Sequence, residues 1–255
     1  MIMKFLAIIP ARYASTRFPA KPLALLGGKP IIQCVYERVQ QVFADICVAT
    51  DDERIASVVR QFGGVAIMTS VNHRSGTDRC YEAFLKMKSN ADVVVNVQGD
   101  EPFISESQLR TVMDCFQDEQ TQIATLVKPF ASGCSFELIE NPNSPKVVLD
   151  KDGYALYFSR SVVPYLRGIP KDEWSSKQTF FKHIGLYAYR TDVLKKITTL
   201  PVGSLEQCES LEQLRWLENG LKIKVGYTDI ETIGIDTPED LKHAEEFLSL
   251  QQYQY

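Results

Sequence analysis

The run from Asp92 to Val97, DVVVNV, limits the fold more than any other stretch of the chain. Valine is β-branched and packs well on a pleated surface, and a near-continuous valine run is covered on both faces. Such a strand lies centrally in a largely parallel sheet. The surrounding pattern agrees. Phe5–Ile9, Ile46–Ala49 and Val65–Met68 read as short strands, and Pro30–Val42 and Asp52–Phe62 between them carry apolar residues at helical spacing. Asp51 or Asp52 caps the second helix, and Gly63-Gly64 stops it. This alternation predicts an α/β fold, Rossmann-like, with a mostly parallel central sheet and helices on both faces.

The strand-length run Phe5–Ile9 meets Pro10, which has no N–H for a ladder, so the chain is expected to leave the sheet there. The loop beyond it carries Arg12, Ser15, Thr16, Arg17 and Lys21: three cations and two hydroxyls in ten residues. In open α/β sheets ligands bind at the carboxyl ends of the strands. Cations converging there suit a triphosphate, with guanidinium groups gripping oxygens and lysine acting as a point charge. A solvated basic loop is the alternative, and the loop's place after the first strand disfavours it. The better-known phosphate loops are absent. Leu23 stands where a Walker loop needs its first glycine before Gly28-Lys29, Pro30 replaces the hydroxyl, and no G-x-G-x-x-G comes after the first strand.

Two further loops carry candidate chemistry. Thr69–Gly76, TSVNHRSG, leads into a helix expected to start near Thr77 or Asp78, so Ser75 and Gly76 lie where free N–H groups can meet an anion or the edge of a base. The valine strand runs straight into Gln98-Gly99-Asp100-Glu101-Pro102. A carboxylate at that place suits a metal-bound phosphate, and Ser105 is available to cap the next helix in its stead. Asp236 lies just outside the Thr237-Pro238 start of the last helix and is expected to be available as a ligand.

From Ile123 the pattern turns β-rich, with Lys146–Leu149 and Tyr154–Phe158 joined by the hairpin signal Lys151-Asp152-Gly153, and a strand at His183–Tyr189. Residues 131–189 are read as an insertion in a single 1–255 domain whose α/β core is 1–130 and 190–255. Its aromatics Tyr154, Tyr157, Tyr165, Trp174, Phe180 and Phe181 look exposed, fitting a cover over the site, a subunit interface, or both. Helices are expected at Thr191–Thr198 and Leu205–Glu218, with a strand after them at Leu221–Val225.

With a net charge of −4 and 45% hydrophobic residues among 255, the chain is a globular protein that advertises neither nucleic acid nor membrane as a partner. A basic loop in an acidic protein points to a small anionic ligand. The opening MIMKFLAIIP is too short in its apolar run for a signal peptide and lacks a small-residue cleavage site, and no segment reaches membrane-spanning length. Six cysteines without C-x-x-C spacing read as reduced thiols, and a cytoplasmic location is expected. Three histidines without an H-x-x-x-H pair make a histidine-based zinc site a poor reading.

Nearly end to end, PARYASTRFPAKPL, HRSGTDR, VNVQGDEP, KVVLDKDGYALYFSR, KHIGLYAYR, LEQLRWLENG and GIDTPEDL resemble the 3-deoxy-manno-octulosonate (Kdo) cytidylyltransferases, the CMP-Kdo synthetases of lipopolysaccharide synthesis. The first loop alone indicates sugar nucleotidyltransferases generally; YALYFSR, HIGLYAYR and LEQLR narrow the resemblance. It implies a nucleotide-diphospho-sugar transferase-like fold, CTP and Kdo as substrates, magnesium as cofactor and a homodimer. It further implies that Arg12, Ser15, Arg17 and Lys21 hold the triphosphate, that Ser75 and Gly76 lie by the cytosine, and that Asp100 and Asp236 bind magnesium. Arg12, Lys21, Asp100 and Asp236 are the expected catalytic set. Gln98, Arg160, His183, Tyr187, Glu212 and Gln213 are expected around the sugar acid. By their pattern alone His183 reads as a core histidine, and Glu212 and Gln213 as an exposed helical face. The rival readings are a CMP-sialic-acid-type or other sugar nucleotidyltransferase and a non-catalytic nucleotide-sugar sensor; two metal carboxylates speak against the sensor.

Overall fold

β1 spans Phe5–Ala11 in a computed structural model that describes residues 3–14, 17–231 and 233–252. The chain gathers into two compact units, Met1–Leu109 with Thr232–Tyr255, and Arg110–Glu231. These boundaries do not coincide with the expected ones at 130/131 and 189/190. The segments 110–130 and 190–231 group with the β-rich part, because the strand after Gln122 pairs both with a strand inside 131–190 and with one beyond it.

In the first unit, β2 (Leu25–Leu26) and β3 (Lys29–Pro30) form a small antiparallel ribbon. β4 (Ile46–Thr50), β5 (Ala66–Met68) and β6 (Val93–Asn96) build the sheet, in the order β6-β1-β4-β5, and every pairing is parallel. Leu6–Ile9 and Val93–Val95 are wholly buried, as strands covered on both faces must be. Three helices connect the strands: α1 (Ile31–Gln40), α2 (Glu53–Gln61), capped by Asp52, and α3 (Gly76–Met87).

Pro10 does not end β1. The strand continues to Ala11 and pairs with β4 as far as Thr50. On the β6 side the last ladder bond runs from Val97 N–H to Ile8 O, and Pro10, two residues on, presents the same edge. Its missing donor falls where β6 has already diverged, so no ladder bond is lost.

The second unit contains most of α4 (Glu106–Asp114), whose Gln108 N–H donates to the Ser105 hydroxyl, giving the expected cap. β7 (Ile123–Pro129) pairs antiparallel with a ten-residue strand, Phe181–Arg190, and parallel with Ile223–Tyr227. Between them in the chain come α5 (Phe136–Glu140), the hairpin β8 (Lys146–Leu149) and β9 (Ala155–Ser159), and α6 (Trp174–Lys177). The long strand is β10 and the last one β11. A register shift in β10 between Ile184 and Tyr187 sets His183 opposite Val127 and Tyr187 opposite Thr125.

Two expectations change here. The helix read over Leu205–Glu218 is two, α8 (Ser204–Glu209) and α9 (Glu212–Glu218) after α7 (Thr191–Ile197), because Ser210 adopts a left-handed conformation at φ 51°. The aromatics of 131–189 are mostly internal: Tyr154, Trp174 and Phe180 are buried, and Trp174 and Phe180 pack with Ile139 in a small core of their own. Of that set only Tyr165, at 75% exposure, is an open surface. All six cysteines are free thiols, three of them buried. Among the described residues no helix is long and apolar enough to cross a membrane.

Candidate active site

The carboxyl ends of β1 and β6 and the amino end of α3 enclose a cleft of about 340 Å³ in the first unit, a size suited to a small molecule. Arg12, Arg17, Lys21, Ser75, Gly76, Gln98, Asp100 and Asp236 all line it. Eight of the expected positions therefore meet in one place although they span most of the chain. Ser15 and Thr16 lie outside the described residues.

Local chemistry explains how the loops arrive. Ala20 N–H donates to Tyr13 O at 3.1 Å, closing the base of the first loop, and Arg54 stacks on the Tyr13 ring. Gly99 lets the β6 loop approach β1, since a Cβ there would meet Pro10 O at 2.8 Å. Ile235 N–H donates to Asp100 O at 2.9 Å, which draws the segment before the last helix, Pro238–Gln252, onto the loop after β6. Asp240 then fixes Asp236 from behind: its carboxylate accepts from the N–H groups of Asp236 and Thr237 and from the Thr237 hydroxyl. Burial would raise the Asp240 pKa, but these hydrogen bonds hold the carboxyl below its ordinary range.

The charges are already paired. Lys21 Nζ lies 2.6 Å from Asp100 and 3.0 Å from Asp236, and Arg17 lies 3.2 Å from the other Asp236 oxygen. Asp236 lines the cleft, where its place beside the loop cations gives it two partners. Ser75 also has a structural task, for it caps α3 one or two residues earlier than expected by accepting from Asp78 N–H at 3.2 Å. Ser75 and Gly76, at the amino end of α3, both line the cleft.

Arg79, Glu82 and His73 also shape this cleft, although none of them is among the expected site positions. Arg79, in the first turn of α3, is 4% exposed. It donates to Thr69 after β5 and to Asp51 after β4, tying two strand ends to the helix. Glu82, one turn on, accepts from Ser70 N–H at 2.8 Å and pairs with His73 and Lys86. Desolvation opposes its ionisation, but those bonds bring its pKa down to about 2. The signal lay in HRSGTDRCYE, where an arginine and a glutamate three positions apart share a helix face with the loop behind them.

In the second unit His183 and Tyr187 pack ring to ring at 5.3 Å, and Tyr187 meets Trp216 edge to face at 5.2 Å. The Thr125 hydroxyl reaches the carbonyls of Ile184 and Leu186, so its lone pair receives the His183 Nε2–H at 3.0 Å. Burial pushes the imidazole pKa down to about 3 and the Tyr187 phenol well up, leaving both neutral. Gln213 is 4% exposed, against the open helical face expected from its pattern, because the break at Ser210 turns the start of α9 inward. The amide nitrogen of Gln213 and the indole N–H of Trp216, three residues apart on α9, are buried donors without a hydrogen-bond partner among the described residues. Glu212 is held by Arg215 at 2.6 Å. Arg160 donates to the carbonyls of Pro142, Glu209 and Ser210, so three of its five donors are occupied by backbone.

A cytidylyltransferase family model matches residues 6–223. A 3-deoxy-manno-octulosonate cytidylyltransferase from Bacteroides thetaiotaomicron is 67% identical over 246 residues, covering 96% of this chain and 98% of that one. One from Thermodesulfovibrio yellowstonii is 49% identical, covering 97% and 99%. The solved structure of a CMP:2-keto-3-deoxy-manno-octonic acid synthetase complexed with CTP superposes with a TM-score of 0.89 at 41% identity, covering 97% of this chain and 99% of that one.

Proposed function

We infer the activity from one premise: the chain belongs to the cytidylyltransferase family, among the 3-deoxy-manno-octulosonate cytidylyltransferases. It is a nucleotidyltransferase that activates this eight-carbon sugar acid with CTP. The anomeric oxygen of the sugar bonds to the α-phosphorus, the bond from that phosphorus to the bridging oxygen breaks, and pyrophosphate leaves with that oxygen. The hydroxyl proton goes to solvent or to an acceptor in the site.

The observation that carries the reading is the meeting of Lys21, Asp100 and Asp236 at the end of the parallel sheet, inside a cleft rimmed by Arg12 and Arg17. Charge on the triphosphate grows on the pyrophosphate as it departs, and Arg12, Ser15, Arg17 and Lys21 are assigned to hold it. The amino end of α3 at Ser75 and Gly76 is assigned to the cytosine. By motif position, Gln98, Arg160, His183, Tyr187, Glu212 and Gln213 are assigned to the sugar acid. Neutral His183 and Tyr187 suit hydroxyl recognition, and Gln213 brings an unpartnered donor.

Asp100 and Asp236 fit magnesium. Both offer hard oxygens, both already converge on one cation, and magnesium takes one or two protein carboxylates with water and phosphate filling its octahedron. When bound, the metal supplies Lewis-acid neutralisation of the phosphate oxygens.

The free thiols suit a cytoplasmic enzyme. A homodimer through residues 131–189 is supported by Leu138 at 59% and Tyr165 at 75% exposure beside the Trp174 cluster. Sedimentation at micromolar concentration is expected to give about twice the chain mass, and a monomer there refutes the dimer.

The function is tested by pyrophosphate release from CTP. It should require both a 3-deoxy octulosonic acid and magnesium. Equal turnover with a sialic acid, or none with any ulosonic acid, overturns the assignment.

A further inference from the structure

Lys21 is the least exposed member of the ionic group in the cleft, at 13%, against 30% for Asp100, 48% for Asp236 and 67% for Arg17. Its ammonium sits between the two carboxylates, and with Arg17 it balances their two negative charges. Its backbone is anchored. Lys21 N–H donates to Phe18 O at 3.3 Å, its carbonyl accepts from Ala24 N–H at 3.1 Å, and Pro22 beside it is buried. Movement at this position therefore belongs to the side chain, a flexible four-carbon stem ending in a compact charge.

A divalent metal and this ammonium compete for the same oxygens. Magnesium requires contacts of about 2.0–2.1 Å to carboxylate oxygen, and an ammonium held in the same bay would lie within a few ångströms of it, like charge against like. We propose that Lys21 is a resident counter-cation of the Asp100–Asp236 pair, displaced when metal arrives with the triphosphate and then turning its ammonium onto the phosphates. This rests on the reading that the two aspartates are the metal carboxylates, and adds a role for Lys21 before any ligand binds. In the resting enzyme Lys21 is a positioning residue: it keeps two like charges converged across loops that are distant in sequence. In the loaded enzyme it is a phosphate ligand.

The consequence is a coupling between metal and nucleotide. Metal alone must evict a largely buried ammonium that has no second anion to go to. With the triphosphate present the evicted group gains partners. Each ligand therefore favours the other by the same factor, and part of that factor passes through one side chain. Arginine would serve poorly, since its rigid fork can grip both carboxylates and would resist displacement.

The deciding measurement is Mn²⁺ binding to the purified full chain without nucleotide, read from the electron paramagnetic resonance signal of free Mn²⁺. Lys21→Met should bind Mn²⁺ at least about tenfold more tightly than wild type, because the competing charge is gone. Adding Asp100→Asn to that variant should abolish the gain. If Lys21→Met binds Mn²⁺ no better than wild type while wild type with CTP binds it in an Asp100-dependent manner, the counter-cation role is overturned and the metal site stands. If Asp100→Asn changes Mn²⁺ binding in no form of the protein, the metal-site reading fails and the proposal with it. Circular dichroism checks that Lys21→Met is folded. Should it not be, Lys21→Arg decides: its CTP complex should bind Mn²⁺ about tenfold more weakly than the wild-type complex, and equal affinity overturns the proposal.

Discussion

Both units hold a lysine largely away from water, and they do so against different partners. In the first, Lys21 and Arg17 are matched by the side-chain carboxylates of Asp100 and Asp236, which are partly exposed. In the second, Lys146 is wholly buried and donates to the carbonyls of Asn141 and Arg160, while Arg160 donates to three carbonyls of its own. Burial lowers the Lys146 pKa, yet the neighbouring Glu209 carboxylate opposes the fall. A carboxylate can exchange an ammonium for a metal or yield it to a phosphate. A backbone carbonyl cannot leave without moving the chain. The first arrangement is therefore built for exchange, and the second for permanence.

That contrast breaks most openly under a pair of substitutions. Asp100→Asn should lower turnover about a hundred- to a thousandfold, the usual loss when one preorganised electrostatic partner is removed, with the melting temperature nearly unchanged. Lys146→Met should do the reverse. It leaves the half-buried Arg160 carbonyl without its donor, at about 1–3 kcal/mol, which lowers the melting temperature of a chain this size by roughly 2–4 °C per kcal/mol, and leaves turnover of the folded fraction largely intact. Calorimetry beside steady-state kinetics reads both. A larger melting shift for Asp100→Asn than for Lys146→Met would show that the first unit's ion pairs are structural after all.

A smaller effect sharpens the second half of the comparison. His183 is neutral in the fold, its pKa pushed to about 3 by burial, against an ordinary value of 6.5. The depressed value means that the stability it contributes is fully present above about pH 6.5 and is lost as pH falls towards 3. Between pH 7 and pH 4 wild type should lose about 3 kcal/mol relative to His183→Gln, measured by urea unfolding at each pH. Parallel curves would mean that the imidazole is solvated and titrates normally.

Much of the first unit was legible in the residues. Valine runs ending in glycine and aspartate, a basic loop after the first strand, and Ser105 and Thr237 at their helix starts are local signals, and each arises from interactions within a few residues. The misread features have a common origin in partners distant along the chain. Pro10 reads locally as a strand end, but which edge of β1 lacks a neighbour depends on where β6 diverges. The aromatics of 131–189 look exposed in sequence, but Trp174 and Phe180 find Ile139 across a loop. Gln213 looks open until the left-handed Ser210 turns α9 inward.

What the sequence by itself determined is the alternation of strands and helices, the chemistry of each loop and, through its motifs, the family. Propensity, capping and side-chain charge are properties of short segments, so they survive without coordinates. Only the tertiary structure decided which of those charges neutralise one another. Lys21, Asp100 and Asp236 are separated by most of the chain, and their pairing depends on Gly99 admitting one loop against β1 and on the Ile235 N–H holding another to Asp100. Ionic attraction acts over a few ångströms in space whatever the distance along the chain, and no local pattern records it.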